Sequence, residues 1–241
     1  MTLKSNSSIF ETIDLTWPAE EFLELTEWKL RKSIKGGKRV SAATAIEKSG
    51  IPAIQVVENT LAEWCQDKLF MIKAGESSLD EALKERGYSI VDPTNIWSIS
   101  AEVLSMQQIP PVTAFSLFPP LAIQREIWTA NGIDASRIEI MDRVKTPKTT
   151  IFGRINAKPA AAAFVAVSNK IAMVHALVVD HKFQRQGMGK HVMQKVGVWA
   201  HQQGAESVVV LCTKQNQSAN NFYKILGMQL IGEYHYRLFK T

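Results

Sequence analysis

Gln184, Arg185, Gln186, Gly187, Met188, Gly189 and Lys190 follow the apolar run Ile171–Val179 and precede Val192, Val196, Trp199 and Ala200 at helical spacing. A strand, a glycine turn and a helix in that order leave backbone N–H groups unpaired in the first helical turn. With the helix dipole behind them, that corner favours a phosphate or pyrophosphate. Arg185 and Lys190 add positive charge at its rim. Glycines that serve only close packing give the same string, so the motif alone leaves both readings open. The sequence has neither the G-x-x-x-x-G-K-[S/T] mononucleotide loop nor the G-x-G-x-x-G dinucleotide loop here.

Two other side chains could move protons. His175 interrupts the apolar run, and an imidazole with a reference pKa of about 6.5 suits proton transfer near neutrality. The alternative is a histidine hydrogen-bonded within the sheet. Tyr223 either donates a proton or packs with Phe222 and Ala219. Asn216 either caps a helix or touches a ligand. Cys212 ends an apolar strand and reads as a small core residue rather than a nucleophile.

The elements that must position these groups follow from periodicity. A helix over 188–203 stops at Gly204 and a strand over 206–212 comes next. A short helix then opens at Asn216 and closes at Gly227, and extended sequence runs over 229–239. Two neighbouring parallel strands that splay would leave a cleft with the anion corner on one side and the Tyr223 helix on the other. Such a cleft suits a long phosphate-bearing cofactor.

Gln184-Arg-Gln-Gly-Met-Gly189 resembles the Q/R-x-x-G-x-G/A pyrophosphate loop of the GNAT superfamily of N-acetyltransferases. Asn216, Ala219, Tyr223, Gly227 and Met228 are similar to a second element of that family. The order and separation of the two motifs make the resemblance specific, and it covers about residues 110–241. It implies an α/β fold with a central mixed β-sheet flanked by helices, and acetyl-CoA as the cofactor. The implied reaction is transfer of an acetyl group by direct attack of an amine on the thioester. A protonated amine cannot attack, so a base is needed, together with a donor to the developing oxyanion and an acid for the departing thiolate.

In the resemblance, Leu177, Val178 and Val179 lie at the splay point and backbone N–H groups there stabilise the oxyanion. Tyr223 takes the place of the general acid. The segment from His175 to Val179 is similar to the arylalkylamine branch, where a histidine assists amine deprotonation. Residues 184–190, Asn216, Ala219, Phe222 and Tyr223 are carried over as cofactor contacts, and no metal is implied.

The N-terminal half repeats the order of elements. Runs over 28–34 and 39–46 flank a turn at Gly36-Gly37. A helix from Pro52 to about Gln66, a strand over 68–73, a helix over 77–86 and a strand over 88–98 follow. Leu83 to Val91 is similar to Tyr223 to Ile231, with Gly87 and Gly227 offset by 140. Yet residues 42–51 contain no Q/R-x-x-G-x-G, and Leu83 stands where the second copy has Tyr223. Residues 1–106 are therefore expected to form a degenerate acetyltransferase-like domain and residues 107–241 the catalytic one, in tandem. Helices over 120–130 and 135–141 are expected to face the acceptor, with Trp28, Arg39 and Trp128 as further candidates on that side.

Composition narrows the partners. A chain of 241 residues with 46% apolar content supports two domains, each with its own core. Two cysteines give no disulfide framework, and no leader or apolar run approaching a membrane span is present, so a soluble cytoplasmic protein is expected. The net charge of +5 is mild, and the basic cluster over 29–39 flanks a turn without the aromatic interleaving of a nucleic-acid surface. The expected acceptor is a small or amino-acid-like amine, with a protein lysine or N-terminus as the variant. A regulatory protein that binds acyl-CoA without efficient turnover is the contrasting class. Either a monomer or a homodimer is compatible with the sequence.

Overall fold

The computed structural model describes residues 6–46 and 51–239. Residues 47–50, within the stretch where the N-terminal copy would carry its loop, lie outside the described residues. In chain order the elements are α1 (Asn6–Thr16), β1 (Glu21–Glu24), β2 (Trp28–Lys32), β3 (Thr44–Ala45), α2 (Ile54–Glu63), β4 (Leu69–Lys73), α3 (Ser77–Glu85), β5 (Ser89–Ser100) and α4 (Ala101–Ser105). Then come β6 (Ala114–Leu117), α5 (Ala122–Ala130), α6 (Ala135–Arg143), β7 (Lys148–Ile155), β8 (Lys158–Ser168), β9 (Ile171–Val179), α7 (Met188–Gln202), β10 (Ser207–Thr213), α8 (Gln217–Ile225) and β11 (Gln229–Leu238).

The chain divides into two compact units that are interleaved in sequence. The first comprises Met1–Trp17, Trp97–Leu211 and Phe222–Gln229; the second comprises Pro18–Ile96, Cys212–Asn221 and Leu230–Thr241. In the first, the strand order is β10-β9-β8-β7-β6. Only β9 and β10 run parallel; the remaining neighbours are antiparallel. Residues 160–167 of β8 are all buried, so both of its faces are covered, and α1, α5 and α7 pack on it. The alanines at 160–163 suit that position, because small side chains let helices approach closely. Gly153 of β7 serves the same approach: a Cβ there would stand 2.9 Å from Met188 Sδ of α7.

In the second unit β1, β2 and β3 form a small antiparallel sheet, and β11 lies between β4 and β5. Trp28, Leu30, Leu61, Phe70, Leu83 and Tyr88 build its core. The last strand of the chain therefore completes the unit made mostly from N-terminal residues, pairing with β4 from Tyr234–Lys73 to Leu238–Leu69. Asp80 of α3 secures it. Its carboxylate accepts from His235 Nε2 at 2.8 Å and from Arg237 Nε and Nη2 at 2.7 and 3.0 Å. Arg237 Nη1 also donates to the Tyr88 carbonyl at 3.0 Å. Burial pushes the Asp80 carboxyl up, but the hydrogen bonds and charges of Arg237 and His235 outweigh it and hold it below its ordinary value.

α1 precedes every element read from the sequence, and its Ile9, Thr12, Ile13 and Thr16 are buried at helical spacing. Two local expectations change. The run over 39–46 is mostly not a strand: after Gly36 and Gly37 at φ of 103° and 90°, Lys38–Val40 form a 3₁₀ turn and only Thr44–Ala45 pair with β2. Trp28 and Trp128 are fully enclosed core residues rather than loop side chains.

Candidate active site

β9 occupies Ile171–Val179, the bounds read from the apolar run. Its parallel register with β10 extends from Ile171–Ser207 to Val174–Val210 and goes no further. At that point the antiparallel register with β8 also shifts. Phe164 faces His175 and Ala162 faces Val178, so Ala176 and Leu177 stand opposite Ala163 alone. This is a β-bulge, and its first residue, Ala176, has φ of 51°. The indole N–H of Trp128, on α5, donates to the Ala176 carbonyl at 2.8 Å. Sequence reasoning found the strand but not the bulge or its partner, which lies 48 residues away.

Past the bulge, Asp180 N–H donates to the Ala160 carbonyl at 2.9 Å. Alternation along an antiparallel strand then turns the Val179 peptide groups away from β8. The Val179 carbonyl accepts from Gln184 Nε2 at 3.2 Å. Gln184, first residue of the loop motif, thus ties the loop back to the strand end. Arg185 is at φ of 63° and Gly187 at φ of 82°, where Gly187 serves as the N-cap of α7 without a side-chain cap. A glycine suits that left-handed position, and space around it is open, with His191 Nε2 3.7 Å from where a Cβ would stand. The two loop glycines differ in role. Gly189 packs: its Cβ would lie 3.3 Å from the Phe222 ring.

Arg185, Gln186, Gly187 and Lys190 are exposed, whereas Met188 is buried against Gly153. His191 sits one turn into α7 and is fixed by Gln194, whose Oε1 is 3.0 Å from its Nδ1; Gln194 in turn donates to Gln107 at 3.0 Å. This leaves His191 Nε2 toward the glycine corner. Only its place four residues after Gly187 could have signalled it.

His175 is 4% exposed and its ring stacks on Trp17, centroids 4.7 Å apart. Its Nε2 lies 3.0 Å from Thr16 Oγ1, and that hydroxyl donates its single proton to the Thr12 carbonyl at 2.6 Å. Thr16 must therefore accept, so His175 Nε2 donates to it. Both partners come from α1 and the residue after it, which the sequence reading did not identify.

Tyr223 is buried at 7% exposure, with the Phe222 ring centroid 5.3 Å from its own. Asn216 caps α8: its Oδ1 accepts from Ala219 N–H at 3.1 Å. Asn220, not singled out in the sequence, donates to the carbonyls of Thr213 and Asn216 at 2.9 and 2.8 Å and shapes the same turn. Burial pushes the Cys212 thiol up to about 11, so it stays protonated and unreactive at neutral pH. Among the described residues, no group of three or more His, Cys, Asp and Glu side chains is placed to hold a metal ion. No described helix is long and apolar enough to cross a membrane.

Residues 121–228 match the family described as Acetyltransferase (GNAT) family. A solved GCN5-related N-acetyltransferase from Kribbella flavida is similar over 100% of this chain and 97% of its own, with a TM-score of 0.75 at 15% identity. A functionally unknown conserved protein from Staphylococcus epidermidis covers 93% of this chain and 95% of its own, with a TM-score of 0.69 at 13% identity. A tandem GNAT protein from the clavulanic acid biosynthesis pathway covers 96% of this chain and 87% of its own, with a TM-score of 0.64 at 10% identity. At these identities the likeness shows the fold: mixed α/β, with a large mixed sheet flanked by helices. No curated protein matches.

Proposed function

We propose that this chain is a cytoplasmic N-acetyltransferase that moves the acetyl group of acetyl-CoA to a small or amino-acid-like amine. The observation that carries the reading is the parting of β9 from β10 beyond Val174–Val210, next to a helix that starts at a left-handed Gly187. First-turn N–H groups of α7 have no intrahelical acceptors, and they suit the pyrophosphate of the cofactor. Arg185, Lys190 and His191 border that corner.

Acetyl-CoA supplies an activated thioester carbonyl. Val179, whose peptide groups turn away from β8, offers its backbone N–H to the developing oxyanion as the N–C bond forms and the C–S bond breaks. Tyr223 gives its phenolic proton to the departing thiolate. His175 takes the amine proton through a water, because the ring is nearly buried.

The burial of His175 and its stack on Trp17 favour a second reading, in which the ring is a wall of the site and the protein binds acyl-CoA without efficient turnover. Thiol release from acetyl-CoA, followed with a chromogenic disulfide across a panel of amines, amino acids and lysine peptides, separates the two. Amine-dependent thiol release supports the transferase and names its acceptor class. A protein that binds acetyl-CoA yet releases thiol with none of them is the regulatory binder.

A further inference from the structure

We propose that Trp128 is a positioning residue for acyl transfer: its indole N–H holds the bulge at Ala176 and so selects which β9 amide is presented to the thioester carbonyl. The inference rests on the acetyl-CoA reading above. Trp128 is fully buried on α5, and its only polar side-chain atom is spent on the Ala176 carbonyl at 2.8 Å. Ala176 occupies φ of 51°, a region an L-residue other than glycine rarely holds without support.

The consequence of the bulge is a change of parity. Before it, Val174 faces Val165 and His175 faces Phe164; after it, Val178 faces Ala162 and Val179 faces Ala161, with one extra residue on β9. A one-residue change of register sends every following group to the opposite side. With the bulge, Val179 turns its peptide groups away from β8, as its carbonyl contact with Gln184 Nε2 records. Without it, Val178 would take that place. The bulge also begins where pairing with β10 ends at Val174, so the extra residue both opens the cleft and sets the amide that lines it.

The test reads the thioester carbonyl itself and needs no acceptor. Isotope-edited infrared spectra of bound [1-¹³C]acetyl-CoA are compared in the wild type and in Trp128→Phe, with affinities from calorimetry. In the wild type the carbonyl stretch moves to lower frequency on binding. In Trp128→Phe it returns toward the free value, while the Kd stays within about threefold because the pyrophosphate corner is untouched. Adding Ala176→Gly to Trp128→Phe restores the shift, because glycine holds the positive φ without help. If Trp128→Phe is too unstable to purify, benzothienylalanine at position 128 replaces the N–H by sulfur in the same outline and takes the same measurement. An unchanged frequency in the variant, or an unshifted carbonyl in a wild type that binds acetyl-CoA, overturns the proposal and leaves the cofactor reading standing. A wild type that does not bind acetyl-CoA overturns both.

Discussion

The two copies of the β-α-β-α-β order differ most at the starts of α3 and α8, where an offset of 140 residues aligns Glu76 with Asn216, Asp80 with Asn220 and Leu83 with Tyr223. Near α8 the side chains are neutral amides that satisfy the turn: Asn216 caps the helix and Asn220 holds the carbonyls of Thr213 and Asn216. Near α3 they are carboxylates taken up by basic side chains of the same unit, Glu76 by Lys73 and Asp80 by His235 and Arg237. The parallel steps differ as well. β9 and β10 share a register of several residues and then part. In the N-terminal copy the corresponding step is a single bridge between Ala43 and Phe70. Beyond it, Lys73 reaches across: its Nζ donates to the Ala45 carbonyl at 2.7 Å and pairs with Glu76 at 2.9 Å. Side chains thus tie β4 to β3 at the N-terminal step, while β9 and β10 part without such a tie being part of their register. The two halves share an order of strands and helices and differ in the groups at these helix starts.

The most drastic way to break the comparison is to cut the chain after residue 228. Because β11 lies between β4 and β5, its removal strips the N-terminal unit of a central strand. The expected outcome is insoluble or molten protein, judged by loss of near-UV circular dichroism. Retained native spectra would mean that the last strand is dispensable to that unit.

Next in size is the tie itself. Lys73 and Glu76 side chains are 14% and 2% exposed, and removing one member of a buried ion pair costs about 3–5 kcal/mol. Lys73→Met should therefore lower unfolding stability by roughly that amount, and Lys73→Met with Glu76→Leu should recover much of it. Urea denaturation measures both. A loss below about 1 kcal/mol for the single variant would mark the pair as a surface-type contact.

Tyr223→Phe probes the copy that kept its tyrosine. A positioned general acid contributes about 10²–10⁴-fold, so kcat should fall by about that factor, with the Kd for acetyl-CoA little changed. An unaltered chemical step would reduce Tyr223 to packing beside Phe222.

The smallest effect belongs to Asp80→Asn at the β11 clamp, about 1–3 kcal/mol from losing charge-assisted hydrogen bonds. Its sign depends on pH. Since the folded-state carboxyl of Asp80 is held below its ordinary value of 3.8, its contribution is present above that pH and fades as pH falls through the lower folded value. The stability gap between wild type and variant, followed by urea titration from neutrality downward, should narrow below about pH 4. A gap constant with pH would remove the ion pair from the account.

Much of the C-terminal geometry is legible in residues close in sequence. The bounds of β9, the glycine start of α7 and the Asn216 cap of α8 follow from apolar runs, a left-handed glycine and an Asx side chain. What escapes is what depends on partners far along the chain. α1 is hard to see because three of its five buried positions among the described residues, Thr12, Asp14 and Thr16, are polar. The run over 39–46 is apolar enough for a strand, yet Arg31 Nη1 takes the Ala42 carbonyl and Thr44 Oγ1 at 2.9 and 3.1 Å and the chain there serves a side chain instead of a ladder. The strand period of β11 says that it is a strand and nothing about its lying beside β4. His175 looks alike in sequence whether it faces a substrate or Thr16 and Trp17.

Calorimetric titration with acetyl-CoA tests the central claim, that the C-terminal copy alone takes the cofactor. The wild type should bind one equivalent per chain. Gly187→Glu, which sets a carboxylate at the start of α7, should bind none, while Gly187→Ala, sharing the backbone cost of φ at 82° without the charge, should bind with only modest loss. Two equivalents per chain, no binding by the wild type, or undiminished binding by Gly187→Glu would contradict it.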